Sequence, residues 1–207
     1  MSDAPATVED VSRAYFLARA FDYPQAELWD QLEGKRLRDI MHDSAVDELP
    51  MLRLDSVIPY RTQAQREEEY LSTFELGGVP LYEGLHRKDA GREGILEELM
   101  RFYEFFGLRI RDQGRDYPDH LVIELEFMAY LAAREELALQ EGGDVAAYRR
   151  AQRDFIVRHL GPWVPLFCDR VRKHDPCSIY ATLAAWLAAF VLEQKERLEL
   201  NIEGEES

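Results

Sequence analysis

Apolar residues recur along this chain at intervals of three and four residues, which is the spacing of one face of an α-helix. The first such run follows Thr7 and Asp10, whose spacing resembles a capping box, and it continues to about Phe21. Glycine and proline residues separate the later runs and indicate turns between them. No segment has a convincing strand pattern, so the sequence predicts an all-α protein.

The predicted helices fill most of the chain. From about Thr62 to Phe74 the helix has an acidic face, and Tyr70 lies one turn before Phe74. The terminal helix is expected to end near Leu200, with residues 203–207 as a frayed acidic tail. By approximate position, the predicted helices are 7–21, 24–32, 37–41, 62–74, 95–106, 119–140, one that ends near 160, 162–171 and 178–200.

The 207 residues and the hydrophobic content of 46% are sufficient for a sizeable core. This length fits a single domain, 1–207. Within this domain, the chain can also be divided into an N-terminal lobe, 1–115, and a C-terminal lobe, 116–202.

The chain is strongly acidic, with a formal net charge of -15. This charge argues against nucleic acid or an anionic membrane surface as a partner, and it favours either a cationic partner or solubility alone. The longest apolar run, 179–192, is shorter than the roughly 20 residues of a membrane span. Two cysteines, Cys168 and Cys177, are too few for a disulfide framework, and the first residues do not resemble a secretory leader. We therefore expect a cytoplasmic protein with reduced cysteines in its core.

Residues 75–91 form a long segment that is punctuated by glycine and proline but rich in apolar side chains, including Leu81 and Tyr82. Loops of this length within a domain are usually functional or disordered, and the apolar residues argue against disorder. The segment is therefore expected to pack on the body of the protein.

The helix that begins after Pro118 carries the most informative polar residues. Proline suits the start of a helix, and Asp119 is a good candidate to cap the free backbone N–H groups there. His120 and Glu124 lie one turn apart on one face, which is also a possible pair of metal ligands. Three interpretations follow: a binding site, a helical metal-dependent hydrolase that uses His120 and Glu124, and a non-catalytic scaffold.

Four segments of the chain share a pattern with one known family: 69–75, then 79–83 with 95–99 and 102–103, then 118–121 with 124–128, and last 159–160, 163–167 and 180–190. Together they resemble the TorD/DmsD/NarJ family of redox-enzyme maturation chaperones, and most closely the subgroup that serves nitrate-, chlorate- and hydrocarbon-type enzymes. Thr73 stands where leucine is commoner in the family, and this difference bears on the shape of the apolar pocket that the resemblance implies for client binding.

The resemblance implies a single TorD-like bundle of about nine to eleven helices and a chaperone rather than an enzyme. Such a chaperone binds the twin-arginine signal peptide and the apo catalytic subunit of a molybdopterin oxidoreductase. It assists insertion of the molybdenum cofactor and delays export. It needs no cofactor of its own, and it is either a monomer or a dimer. The residues expected to contact the client are Tyr70, Phe74, Leu81, Tyr82, Asp119, His120, Glu124 and Glu126.

Overall fold

The computed structural model describes residues 8–35, 58–76, 78–88, 91–110 and 117–205, and regular structure within these ranges is helical. The all-α class is therefore confirmed, while the number of nine to eleven helices stays a prediction. The α-helices of the described ranges are α1 (Val8–Phe21), α2 (Ala26–Leu32), α3 (Gln63–Tyr70), α4 (Arg92–Phe105), α5 (Leu121–Gln140), α6 (Ala146–Phe155), α7 (Gly161–His174) and α8 (Ile179–Glu205).

Helix α3 begins with a complete capping box. The Thr62 hydroxyl accepts a hydrogen bond from the Gln65 backbone N–H at 3.3 Å, and the Gln65 side chain accepts one from the Thr62 N–H at 2.9 Å. Beyond Tyr70 the helix widens into a π-helical turn over Leu71–Glu75. This turn carries the helical path to Phe74, as the sequence pattern predicts.

The chain reverses sharply after this turn, and Gly78 makes the reversal possible. The Val79 N–H donates to the carbonyl of Thr73 at 2.5 Å. A Cβ at position 78 would lie 1.7 Å from the same carbonyl oxygen, so a side chain there would clash with the backbone. Glycine therefore allows the following segment to fold back against the helices.

The core is formed mainly by α1 packed along α5 and by α7 packed along α8. An aromatic cluster lies between these pairs, with Phe74 in its centre. The Phe74 ring centroid lies 5.2 Å from that of Tyr70 and 4.7 Å from that of Tyr180. Phe21 and Phe167 complete the cluster. The single domain, 1–207, and its division into two lobes stay predictions.

Some sequence-based expectations change in the structure. Helix α8 continues to Glu205, so the expected fraying of residues 203–205 is wrong. Cys177 is exposed, which makes its assignment to the core wrong, whereas the Cys168 thiol donates to the Ala184 carbonyl at 2.7 Å, and burial raises its pKa to about 12. The helix predicted at 37–41 lies outside the described residues.

In the described part of the chain, no helix combines the length and the apolar character needed to cross a membrane.

Candidate functional site at the start of helix α5

Residues 78–88 pack against the start of α5, and the backbone holds them there. The Leu121 N–H donates to the Leu81 carbonyl at 2.8 Å, and the Glu83 N–H donates to the Asp119 carbonyl at 2.9 Å. Between these two bonds, Tyr82 and His120 form an isolated antiparallel bridge. The expectation that this segment packs on the body of the protein is confirmed.

His120, and not Asp119, caps helix α5. The His120 Nδ1 accepts a hydrogen bond from the Val122 N–H at 3.3 Å. The Asp119 carboxylate is instead turned towards the neighbouring segment, where it accepts a hydrogen bond from the Gly84 N–H at 3.2 Å. The prediction that Asp119 caps the helix is therefore wrong, because its side chain holds the packed segment in place.

Three carboxyl groups meet in this region, and each belongs to a side chain with no solvent exposure: Glu83, Asp119 and Glu124. A buried carboxylate needs a charged or hydrogen-bonding partner to offset its lost hydration. The two oxygens of Glu83 contact Arg87 Nη1 at 2.7 Å and His159 Nδ1 at 3.0 Å. Glu83 thereby joins its own segment to the chain that precedes α7.

Glu124 differs from the other two carboxyl groups because none of the cationic side chains that the structure describes contacts it. Its Oε2 accepts a hydrogen bond from the Trp163 indole N–H at 3.0 Å, and its Oε1 has no partner among the described residues. Burial, reinforced by the charge of Glu83, raises the pKa of Glu124 well above its ordinary value. The charged form of Glu124 is therefore disfavoured relative to that of an exposed glutamate.

We expect Glu124→Gln to change how stability depends on pH. The folded pKa of Glu124 is raised above the unfolded value of 4.5, so its contribution to stability is complete below that value and declines as the pH rises towards the folded pKa. The variant cannot ionise, so it should lose a destabilising slope of up to about 1.4 kcal/mol per pH unit. Urea unfolding of both proteins between about pH 5 and pH 8 measures this difference. Parallel pH profiles would contradict the assignment.

His86 is a second buried polar residue that the sequence analysis did not identify. Its Nε2–H donates to the Pro80 carbonyl at 2.7 Å, and burial lowers its pKa to about 4. The imidazole is therefore neutral at pH 7, and it packs with its ring centroid 5.3 Å from that of Trp163. His86 fixes the curved path of the segment from the inside.

The predicted site residues fall into two groups. The first group lies together at the start of α5, where Leu81 is buried, Tyr82 is half-buried and Glu126 is exposed. The Tyr82 and His120 ring centroids are 4.9 Å apart. This group consists of Leu81, Tyr82, Asp119, His120, Glu124 and Glu126.

The second group, Tyr70 and Phe74, lies in the aromatic cluster of the core and is not exposed along a groove. The rings of Phe167 and Trp163 connect the two groups. The Phe167 ring centroid lies 6.2 Å from that of Phe74 and 5.7 Å from that of Trp163, whose indole N–H donates to Glu124. A continuous series of contacts therefore links Phe74 to the buried carboxyl group of Glu124.

Sequence reasoning missed Glu83, His86, His159 and Trp163 as members of the site. Glu83 and His86 stand in an irregular segment, where no helical period marks them as buried. The available signal was the resemblance itself, since both 79–83 and 159–160 belong to the matching residues.

The possible metal ligands are engaged in other contacts. His120 Nδ1 accepts the capping hydrogen bond, and Glu124 accepts from Trp163. Among the residues that the structure describes, no three or more His, Cys, Asp or Glu side chains cluster as metal ligands would.

In this arrangement the polar residues of the site hold residues 78–88 against the start of α5 and the chain that precedes α7. Comparison with known proteins identifies the family of this protein. The family model of the nitrate reductase delta subunit matches residues 43–169, so the chain belongs to that family.

Curated relatives cover most of the chain. The selenate reductase assembly chaperone protein of Thauera selenatis is 41% identical and the chlorate reductase assembly chaperone protein of Ideonella dechloratans is 39% identical, each over 88% of this chain and 86% of the relative. The chaperone protein TorD of Vibrio parahaemolyticus is 29% identical over 72% of this chain and 69% of its own length. The predicted family resemblance is confirmed, and these relatives are named as chaperones rather than enzymes.

A solved structure supports the fold. The crystal structure of a redox enzyme maturation protein from Archaeoglobus fulgidus superposes with a TM-score of 0.51 over 91% of this chain and 96% of that one, at 19% identity.

Proposed function

We propose that this protein is a cytoplasmic assembly chaperone for the catalytic subunit of a molybdopterin oxidoreductase. It binds the apo subunit together with its twin-arginine signal peptide, assists insertion of the molybdenum cofactor and delays export. The observation that carries the proposal is the 41% identity with the selenate reductase assembly chaperone protein of Thauera selenatis, which extends over most of both chains.

The charge of the protein is consistent with this client. A twin-arginine signal peptide presents two guanidinium groups followed by an apolar segment, and the chain has a formal net charge of -15. Opposite charges on two partners increase their rate of association and favour the correct orientation. The acidic chain is therefore suited to attract the cationic end of the peptide.

The start of α5 is the proposed client-binding region. In this proposal Tyr82, His120 and Glu126 face the client, and Asp119 supplies negative charge directly beneath them. The other proposed client contacts lie deeper: Leu81 and Glu124 are buried at the start of α5, and Tyr70 and Phe74 are buried in the aromatic cluster of the core.

Co-purification tests the proposal. The full-length chain, tagged and expressed in its native cells, should enrich a molybdopterin oxidoreductase subunit that retains its signal peptide and lacks the cofactor, as identified by mass spectrometry and molybdenum analysis. A strain that expresses the tag alone is the control.

Deletion of the gene provides the second arm of the test. If the protein assists cofactor insertion, deletion of its gene should leave the client enzyme deficient in molybdenum. If no oxidoreductase subunit is enriched, or if the deletion strain makes fully loaded enzyme, the proposal is wrong.

A further inference from the structure

Arg92, at the first position of α4, occupies a site with the chemistry of an arginine receptor. Its Nε and Nη2 lie 3.3 Å and 3.4 Å from the two oxygens of the buried Asp119 carboxylate. Its guanidinium carbon lies 4.8 Å from the ring centroid of Tyr117 and 5.7 Å from that of Tyr82. A carboxylate that accepts from two guanidinium nitrogens, combined with aromatic rings, is a favourable environment for a guanidinium group.

Arg92 is held less closely than the arginines of three other described ion pairs with a buried carboxylate. Charge-assisted hydrogen bonds are usually about 2.7–2.9 Å long, and both contacts of Arg92 are longer. The Arg92 side chain is also 36% exposed, whereas the arginines of three comparable pairs are 7–13% exposed. Those pairs have N–O distances of 2.6–2.8 Å and are Arg66–Glu33, Arg87–Glu83 and Arg149–Glu135.

Gly84 gives the guanidinium access to the carboxylate. A Cβ at position 84 would lie 2.6 Å from Arg92 Cγ and 3.0 Å from Asp119 Oδ2, so any other residue would push the two side chains apart. The Gly84 N–H also donates to the same Asp119 oxygen, which fixes the orientation of the carboxylate. The receptor is thus formed by Asp119, Gly84, Tyr82 and Tyr117, and Arg92 enters it from the solvent side.

We infer that Arg92 is an internal substitute for a client arginine, and that an arginine of the signal peptide displaces it from Asp119, Tyr82 and Tyr117. This inference rests on the proposed function and identifies the contact through which the chaperone recognises the peptide. Arg92 compensates the buried Asp119 charge while the chaperone is empty. On displacement it moves into solvent at little cost, because it is already partly hydrated.

The geometry favours arginine over lysine in the displacing peptide. A guanidinium group forms two parallel hydrogen bonds to one carboxylate and stacks on aromatic rings, whereas an ammonium group does neither in the same way. A peptide with two lysines carries the same charge as one with two arginines. The difference in affinity between the two peptides therefore reports the shape of the receptor and not the net charge of the protein.

Replacement of Arg92 should strengthen peptide binding, because it removes the competitor. We expect Arg92→Gln to bind a synthetic peptide of two adjacent arginines and an apolar segment about three- to tenfold more tightly than the wild-type chain. Titration calorimetry with the full-length protein measures the affinity. The preference for the arginine peptide over its twin-lysine counterpart should increase in the same variant.

Arg101→Gln is the matched control. Arg101 lies on the same helix, pairs with Glu97 at 3.3 Å and is 78% exposed, so its replacement removes one positive charge without vacating the receptor. Its affinity for the peptide should change by less than about twofold. Where Arg92→Gln does not fold, Arg92→Lys retains the charge, loses the two-pronged contact and should still bind more tightly than wild type.

The outcomes separate the inference from the proposed function. If the wild-type chain binds neither peptide, the proposed signal-peptide binding is wrong and the inference fails with it. If wild type binds the arginine peptide but Arg92→Gln or Arg92→Lys binds no more tightly than Arg101→Gln, the inference alone is overturned. A gain in Arg92→Gln that disappears when Asp119→Asn is added confirms that the peptide uses the vacated carboxylate.

Discussion

Phe74→Ala is expected to lower the free energy of unfolding by about 3–5 kcal/mol. Phe74 is 7% exposed, and its ring contacts those of Tyr70, Phe167 and Tyr180. Truncation removes the buried ring and leaves a cavity that stiff aromatic neighbours cannot fill. Urea unfolding of wild type and variant, followed by circular dichroism, measures the difference.

Phe105→Ala makes the same chemical change on the surface and serves as the control. Phe105 is 81% exposed, so its truncation should change stability by less than about 0.5 kcal/mol. If Phe74→Ala were as stable as Phe105→Ala but failed to bind the client, Phe74 would line an open groove and would not be part of the core. A loss of stability with client binding retained in the folded fraction would leave Phe74 a structural residue only.

Most helices were predictable because their apolar positions follow the helical period. Local interactions add to this signal, since the predicted start of α3 near Thr62 is the position where Thr62 and Gln65 form a capping box. The end of α1 at Phe21 and the end of α5 at Gln140 also agree with the predicted ends of these helices.

The burial of individual residues was less predictable. Tyr70 and Phe74 share a helix face, and that spacing fits either a groove or a core. Their burial is decided by Tyr180 and Phe167, which are about a hundred residues away in the sequence. Long-range packing of this kind leaves no periodic signal at the position itself.

The candidate site shows the same distinction. Asp119 before a helix is a good local cap, but the Gly84 N–H and Arg92 compete for its carboxylate, and His120 caps the helix instead. Glu83 and Glu97 are equivalent in sequence terms, since each precedes an arginine by four residues. Only the fold distinguishes the buried glutamate from the exposed one.

Glu83→Gln is therefore expected to be far more damaging than Glu97→Gln. The buried Glu83 carboxylate contacts both Arg87 and His159, and removing one partner of a buried ion pair typically costs about 3–5 kcal/mol. Glu97 and Arg101 are 71% and 78% exposed, and an exposed helical pair of this spacing contributes about 0.3–0.5 kcal/mol. Chemical unfolding of the two variants measures both values.

Salt separates the two effects further. High ionic strength should abolish the small loss in Glu97→Gln, because exposed charges are screened within about 3 Å at 1 M salt. It should leave the loss in Glu83→Gln nearly unchanged, since the ions cannot approach a fully buried carboxylate. Equal losses in the two variants, or a Glu83→Gln loss that salt removes, would show that Glu83 is not the buried link between residues 78–88 and the helices. The client-binding region would then lack the internal support on which its geometry depends.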